Sequence, residues 1–213
     1  IKDIQIRKLK DLSLITPCMV MTFYMLPKNF EIWKQNEKVA DYLYNHIDLL
    51  IVDEAGQTSP EIAAPSFALA KRAIVVGDEQ QIPPVWGTHR ALDLTLAIHN
   101  GVINNEKDFN ILIESGLNTS QSSVMKVATH SCPYGTNNDR GMFLSEHRRC
   151  YDEIISYCNE LVYKGKLEPL RGKGADAKSR ALPTDKYPIM GYFDIPTNSS
   201  QTVGTSRVNY EEA

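Results

Sequence analysis

Two short stretches of this 213-residue chain place acids and amides directly after apolar runs, an order that suits phosphate chemistry. In Leu49-Leu-Ile-Val-Asp-Glu-Ala-Gly-Gln57 an apolar run delivers adjacent carboxylates and then a small-residue turn. Nucleotide hydrolysis needs two different jobs done at such a place. One carboxylate holds Mg²⁺, which prefers oxygen ligands and keeps much of its water. A second orients or deprotonates the attacking water. Asp53 suits the metal role and Glu54 the base role, while Ala55-Gly56 leaves room for phosphates. The second stretch is Val76-Gly-Asp-Glu-Gln-Gln-Ile-Pro-Pro-Val85. Gly77 permits a tight turn, Asp78 and Gln81 supply an acceptor and an amide, and Pro83-Pro84 stiffens the exit. An amide there can bond a terminal phosphate or the lytic water. Each stretch also has a plain structural reading, as a polar turn or a proline-rich loop.

These residues need a scaffold that brings them together. Three apolar runs provide one: Cys18–Met21 ending at Thr22, Ile47–Val52 ending at Asp53-Glu54, and Ala73–Val76 ending at Gly77-Asp78. Near-continuous apolar runs of this length predict strands buried on both faces of a parallel sheet. Ligands bind outside the carboxyl ends of such strands, where Thr22, Asp53, Glu54, Asp78 and Gln81 would gather. Ser59-Pro60-Glu61 reads as an N-cap, first-turn proline and first-turn acid. It predicts a crossover helix to about Ala70, kinked or delayed by Pro65. Residues 86–140 predict mixed helix and loop, with Phe109–Ile113 buried. A helix is expected over Asp152–Tyr163, with Ile154, Cys158, Leu161 and Val162 on one face and Lys164-Gly165 closing it. Residues 171–186 read as a surface loop or linker, and Ile189–Ile195 as a further strand.

Composition bounds the answer. Apolar residues are 42% and charged residues 23%, a globular balance that excludes disordered and collagen-like classes. The net charge of -3 lacks the strong basicity of many nucleic-acid binders, leaving room only for a local basic groove. No apolar run approaches the ~20 residues of a membrane span, and Ile1–Leu12 does not resemble a secretory leader. Cys18, Cys132, Cys150 and Cys158 form no CxxC pair, which points to a reducing, cytoplasmic setting. His130, Cys132, His147 and Cys150 fit no usual zinc spacing. Trp33 and Trp86 read as packing residues. The first residue is Ile1, not Met, and the chain is read as an excerpt of a longer protein.

With about twenty residues between them, the two motifs resemble those of superfamily 1 helicases, most closely the 5′-to-3′ branch, which carries a GD-x-x-Q-L-P-P form of motif III. Leu50–Gln57 is similar to the Walker B motif, or motif II. Gly77–Pro84 is similar to motif III, with Ile82 in the usual Leu place and Gln81 matching the γ-phosphate-sensing glutamine. Leu144-Ser-Glu-His-Arg-Arg-Cys-Tyr-Asp-Glu-Ile-Ile155, followed by Asn159, Tyr163, Gly165 and Leu167, resembles motif IV and its helix. Alignment on Tyr163–Leu167 puts the motif arginine at Arg149 and replaces the usual tyrosine with Arg148. Pro17–Thr22 looks like the strand whose terminal Thr lies near single-stranded nucleic acid. Ser206–Ala213 looks like the segment that opens a helix of a second RecA-like domain.

The resemblance implies an α/β P-loop NTPase of AAA-type, RecA-like design: a parallel sheet flanked by helices, with residues 1–143 completing a first ATP-binding domain and 144–213 beginning a second. It implies ATP and Mg²⁺ as cofactors of the full-length protein, with Asp53 as metal ligand and Glu54, Gln81 and Arg149 as catalytic groups. Asp53, Gly77, Asp78, Gln81 and Arg149 would border the nucleotide, and Thr22 and Pro83 the nucleic acid. Single-stranded nucleic acid, DNA before RNA, and other domains of the parent chain are the implied partners, with no membrane. No G-x-x-x-x-G-K-S/T loop occurs in the sequence. This chain alone is therefore expected to show little or no ATPase activity. The rival expectation is a non-hydrolysing binding or assembly module.

Overall fold

The computed structural model describes residues 2–33, 40–136, 139–173, 189, 191, 194 and 200–210. They divide into two compact units, Ile1–Met142 and Phe143–Ala213. The first unit runs α1 (Lys2–Ile15), α2 (Leu26–Asn29), β1 (Glu31–Trp33), β2 (Ala40–Tyr42), β3 (Leu50–Val52), a 3₁₀ turn (Ala55–Gln57), α3 (Pro60–Ala68) and β4 (Ala73–Val75). It continues through α4 (Arg90–His99), α5 (Glu106–Ser115), α6 (Val124–Ser131) and the short pair β5 (Gly135–Thr136) and β6 (Asp139–Arg140). The second unit holds β7 (Glu146–His147), α7 (Asp152–Leu161), β8 (Glu168–Pro169), β9 (Ser200–Val203) and β10 (Ser206–Asn209).

The expected strand–helix–strand crossover is present. β3 and β4 pair in parallel with Leu50 opposite Ala73, Ile51 opposite Ile74 and Val52 opposite Val75. Between them α3 begins at Pro60, whose missing N–H costs nothing at a first helical position. Ser59 precedes it in extended conformation, its hydroxyl donating to Glu61 Oε1 at 2.7 Å rather than capping the backbone. Pro65 lies inside the helix and does not delay its start. β3 is shorter than the apolar run, because Ile47 makes only an isolated parallel bridge to Ala70.

Burial on both faces is corrected by the structure. Val52 packs with Ala55, Ala63 and Val124, flanked by Phe23, Leu50, Phe67, Val75 and Met125. Ile51 and Ile74, paired on the opposite face, remain 62% and 50% exposed. Period-2 alternation sends i and i+2 to one side only, and α3 and α6 cover that side. The strand expected at Cys18–Met21 is also corrected. The segment is irregular, with Val20 95% exposed. A strand needs a neighbour for its backbone groups. Here the Thr22 carbonyl instead accepts the Met25 and Leu26 N–H groups, each at 3.0 Å, turning the chain into α2. A second core joins Phe30, Ile32, Leu43 and Leu69 with Ile6 and Leu9 of α1.

Residues 86–140 prove more regular than expected, with three helices. Phe109 alone of Phe109–Ile113 is buried, and Ile111 is exposed. Asn105 caps α5, its side-chain oxygen accepting the Lys107 and Asp108 N–H groups. In the second unit α7 ends at Leu161, two residues before the expected end, and Lys164 and Gly165, both with positive φ, form the turn that follows it. Its buried residue is Ile155, whereas Leu161 is exposed. Ile154, Cys158 and Val162 of the expected face are half-buried, so only its Leu161 edge turns to solvent. Ser206–Asn209 pair antiparallel with β9 rather than forming helix. Glu211–Ala213, most of the expected loop 171–186 and most of the expected strand Ile189–Ile195 lie outside the described residues. No helix among the described residues is long and apolar enough to cross a membrane.

Candidate functional site

At the carboxyl end of β3 the chain turns sharply. Glu54 adopts left-handed backbone angles, φ 53° and ψ 40°. A non-glycine residue there costs ~1–3 kcal/mol and persists only where its surroundings over-determine it. The determinants are visible. The Asp53 carboxylate accepts the Glu54 N–H at 3.0 Å, and the Glu54 carbonyl accepts the Gln57 N–H at 3.0 Å. The Gln57 side-chain amide donates to Glu54 Oε2 at 3.1 Å. Both carboxylates are exposed, while Ala55 and Gly56 behind them are buried.

The end of β4 is locked to this turn through the backbone. Val76 N–H donates to the Val52 carbonyl at 2.8 Å, and Ala55 N–H to the Val76 carbonyl at 2.9 Å. The two glycines then allow near-contact of the turns. A Cβ on Gly56 would lie 2.3 Å from the Asp78 carbonyl oxygen. A Cβ on Gly77 would lie 2.8 and 2.9 Å from the Ala55 and Gly56 nitrogens. Neither glycine has a positive φ, so close approach, not backbone freedom, demands the missing side chain. Asp78 orders the second turn: Oδ1 accepts the Gln80 N–H at 2.8 Å and Oδ2 the Gln81 amide at 3.1 Å. Gln81 and Pro83 are exposed, and Pro84 is buried. Asp53, Glu54, Gly77, Asp78 and Gln81 are thereby brought to one edge of the first unit.

Thr22 is exposed in the irregular segment before α2. Arg149 belongs to the second unit, exposed in the loop between β7 and α7. That loop is held at several points. The neighbouring Arg148 makes an ion pair with Glu146 at 2.9 Å. Cys150 N–H donates to His147 Nε2 at 2.9 Å. Arg171 donates to the Arg149 carbonyl and lies 4.4 Å over the Tyr151 ring. Gly172 N–H donates to Asp152 Oδ1 at 3.1 Å. Arg171 was expected in a surface linker; its partners lie some twenty residues away, and no local pattern reveals them. Asn159 of α7 clamps Leu167, donating to its carbonyl and accepting its N–H, both at 2.9 Å. This sets β8 beside β7.

The described residues contain no group of three or more His, Cys, Asp or Glu side chains able to hold a metal unaided. Mg²⁺ does not require one, since it is commonly held by one or two carboxylates together with phosphates and water. The exposed Asp53 carboxylate at the edge of the paired turns fits that limited role. All four cysteines are free thiols.

Comparison with known proteins agrees in direction with this geometry. A family profile described as an AAA domain matches residues 35–88, which contain both turns. The DNA replication ATP-dependent helicase/nuclease DNA2 of Gallus gallus is 30% identical over 127 residues, covering 60% of this chain and 10% of that protein. The Homo sapiens protein of the same name is 29% identical over 130 residues, covering 61% and 9%. The Bos taurus one is 28% identical over the same length. The chain thus spans about a tenth of the length of the curated relatives it matches. No solved structure gives a significant match. Over part of its length the chain is thus similar to an AAA domain and to ATP-dependent helicase/nucleases.

Proposed function

We propose that this chain is part of an ATP-dependent helicase or translocase that couples ATP hydrolysis to movement on single-stranded nucleic acid, DNA before RNA. The observation that carries the reading is the glycine-to-backbone contact of the two turns, which holds Asp53-Glu54 and Asp78–Gln81 at one sheet edge. The first unit is the later part of a RecA-like ATP-binding domain and the second the beginning of another. Other domains of the longer protein complete the site, in a cytoplasmic setting.

In this reading Asp53 holds Mg²⁺, and the ion with ATP supplies the electrophilic phosphorus and charge neutralisation. Glu54 accepts a proton from the attacking water. Its left-handed backbone and its bond from Gln57 hold the carboxylate in place before reaction. Gln81 exchanges its bond to Asp78 for one to the γ-phosphate, which makes the second turn responsive to nucleotide. Gly77 and Asp78 keep that turn against the first. Arg149 offers a planar guanidinium to developing negative charge. Thr22 and Pro83, both exposed, contact the strand.

ATP turnover by the longer protein, with and without single-stranded DNA, tests this. Glu54→Gln should lower strand-stimulated turnover by on the order of 10²–10⁵. Turnover by that variant at the wild-type rate refutes the assignment. The chain alone should show no turnover above background. Steady hydrolysis by it, abolished by Glu54→Gln, refutes the view that its site is incomplete.

A further inference from the structure

Asp93 of α4 is only 8% exposed. Its Oδ2 accepts the Thr119 N–H at 3.0 Å, the Ser120 N–H at 3.0 Å and the Ser120 hydroxyl at 2.8 Å. The Asn118 amide donates to Ser120 Oγ at 3.3 Å, and the Ser122 hydroxyl donates to Asn118 Oδ1 at 2.6 Å. Asn118, Ser120 and Ser122 are themselves buried. A buried polar group left unpaired costs ~1–3 kcal/mol, so a satisfied cluster selects one conformation for the segment that carries it.

That segment grips both turns of the candidate site. The Ser122 carbonyl accepts the Trp86 indole N–H at 2.9 Å. Trp86 stands at the exit of the Gly77–Pro84 turn, five residues beyond Gln81, with Pro83 and Pro84 between. Proline fixes φ, so a displacement of Trp86 reaches Gln81 with little slack. On its other side the Val124 N–H donates to the Thr58 carbonyl at 2.8 Å, directly after the Ala55–Gln57 turn.

We propose that Asp93 is a positioning residue, ordering residues 118–124 so that Trp86 and Thr58, and with them the two turns, stand in one fixed relation. The proposal rests on the reading of these turns as motifs II and III. It also gives the network a function beyond stability, because a misplacement of about 1 Å at a reacting centre costs ~10²-fold in rate.

Hydrogen exchange at the Trp86 indole, followed by NMR in this chain, tests the coupling directly. Asp93→Ala should speed indole exchange by about tenfold or more, the equivalent of ~1.4 kcal/mol, while the Val76 amide keeps its protection. Asp93→Asn should restore slow exchange, because its amide oxygen can take the place of Oδ2. Ser120→Ala removes one of the three donors and should give a smaller acceleration; it decides the matter if Asp93→Ala does not fold. In the longer protein Asp93→Ala should lower kcat for ATP by about 10–100-fold with KM nearly unchanged, and Asp93→Asn should recover most of it. Unchanged indole exchange in both Asp93→Ala and Ser120→Ala overturns the coupling. Faster exchange with wild-type kcat overturns the positioning role. If Glu54→Gln leaves turnover at the wild-type rate, the helicase reading fails instead, and indole exchange alone decides whether Asp93 joins the turns.

Discussion

Replacing Gly56 by alanine should loosen the candidate site and the first unit together. The added Cβ would stand 2.3 Å from the Asp78 carbonyl oxygen, roughly an ångström inside the 3.4 Å at which ordinary contact begins. The obstacle is backbone and cannot rotate away. Moving it strains the ladder in which Val76 bonds Val52 and Ala55 bonds Val76. Overpacking of this kind costs about 1–3 kcal/mol, and the rigid obstacle argues for the upper half. With a urea slope of about 2 kcal/mol per molar, the unfolding midpoint falls by about 1–1.5 M. Tryptophan fluorescence is the assay, because Trp33 and Trp86, the chain's two tryptophans, both belong to the first unit. Gly87→Ala is the control: a Cβ there meets nothing within 4 Å, and the midpoint should hold or rise slightly. Gly77→Ala should also destabilise, and the double variant should cost less than the two singles added, since both pry open one contact. A Gly56→Ala midpoint equal to wild type refutes the close approach and, with it, the argument that joins the two turns.

Three further outcomes follow from the packing. Phe109→Ala removes a fully buried ring beneath Arg90 and should cost about 3–5 kcal/mol by the same fluorescence assay. Asn159→Ala removes both bonds to Leu167 and should cost about 1–3 kcal/mol. Amide exchange should quicken at Leu167, Glu168 and Leu170, and Asn159→Asp, which keeps only the acceptor, should fall between. The Lys71 ammonium, hydrogen-bonded to Asp48 at 2.6 Å and adding its charge, holds that carboxyl below the usual carboxylate range. A depressed pKa means the pair's stabilisation is present above the ordinary carboxylate pKa and is lost as pH falls through the lowered one. Both side chains are largely exposed, so Lys71→Gln should raise the Asp48 titration, read by NMR, toward its ordinary range with almost no change in stability.

Much of the candidate site was legible because its information is local. Asp53-Glu54 after an apolar run, Gly77-Asp78 after another, and Ser59-Pro60 between them announce a parallel crossover, since strand propensity, turn chemistry and helix starts act over a few residues. The closing pair Lys164-Gly165 was legible for the same reason. What failed was everything set by neighbours. Cys18–Met21 has the composition of a strand, yet strand formation needs a partner ladder, and there the chain bonds into α2 instead. Ile51 and Ile74 look as buried as Val52, but only the packing of α3 and α6 chose which face is covered. Ile155, not Leu161, became the buried residue of α7 because orientation follows contact more than periodicity alone. The Asn and Ser residues around 118–123 fall in a stretch that reads only as mixed helix and loop. Only folding brought Asp93 close enough to accept hydrogen bonds from Thr119 and Ser120 and turn that composition into a buried strap. Gly56 and Gly77 were expected to make room and a turn; tertiary structure decided that each stands against the backbone of the opposite turn, because a missing Cβ has meaning only where something approaches it.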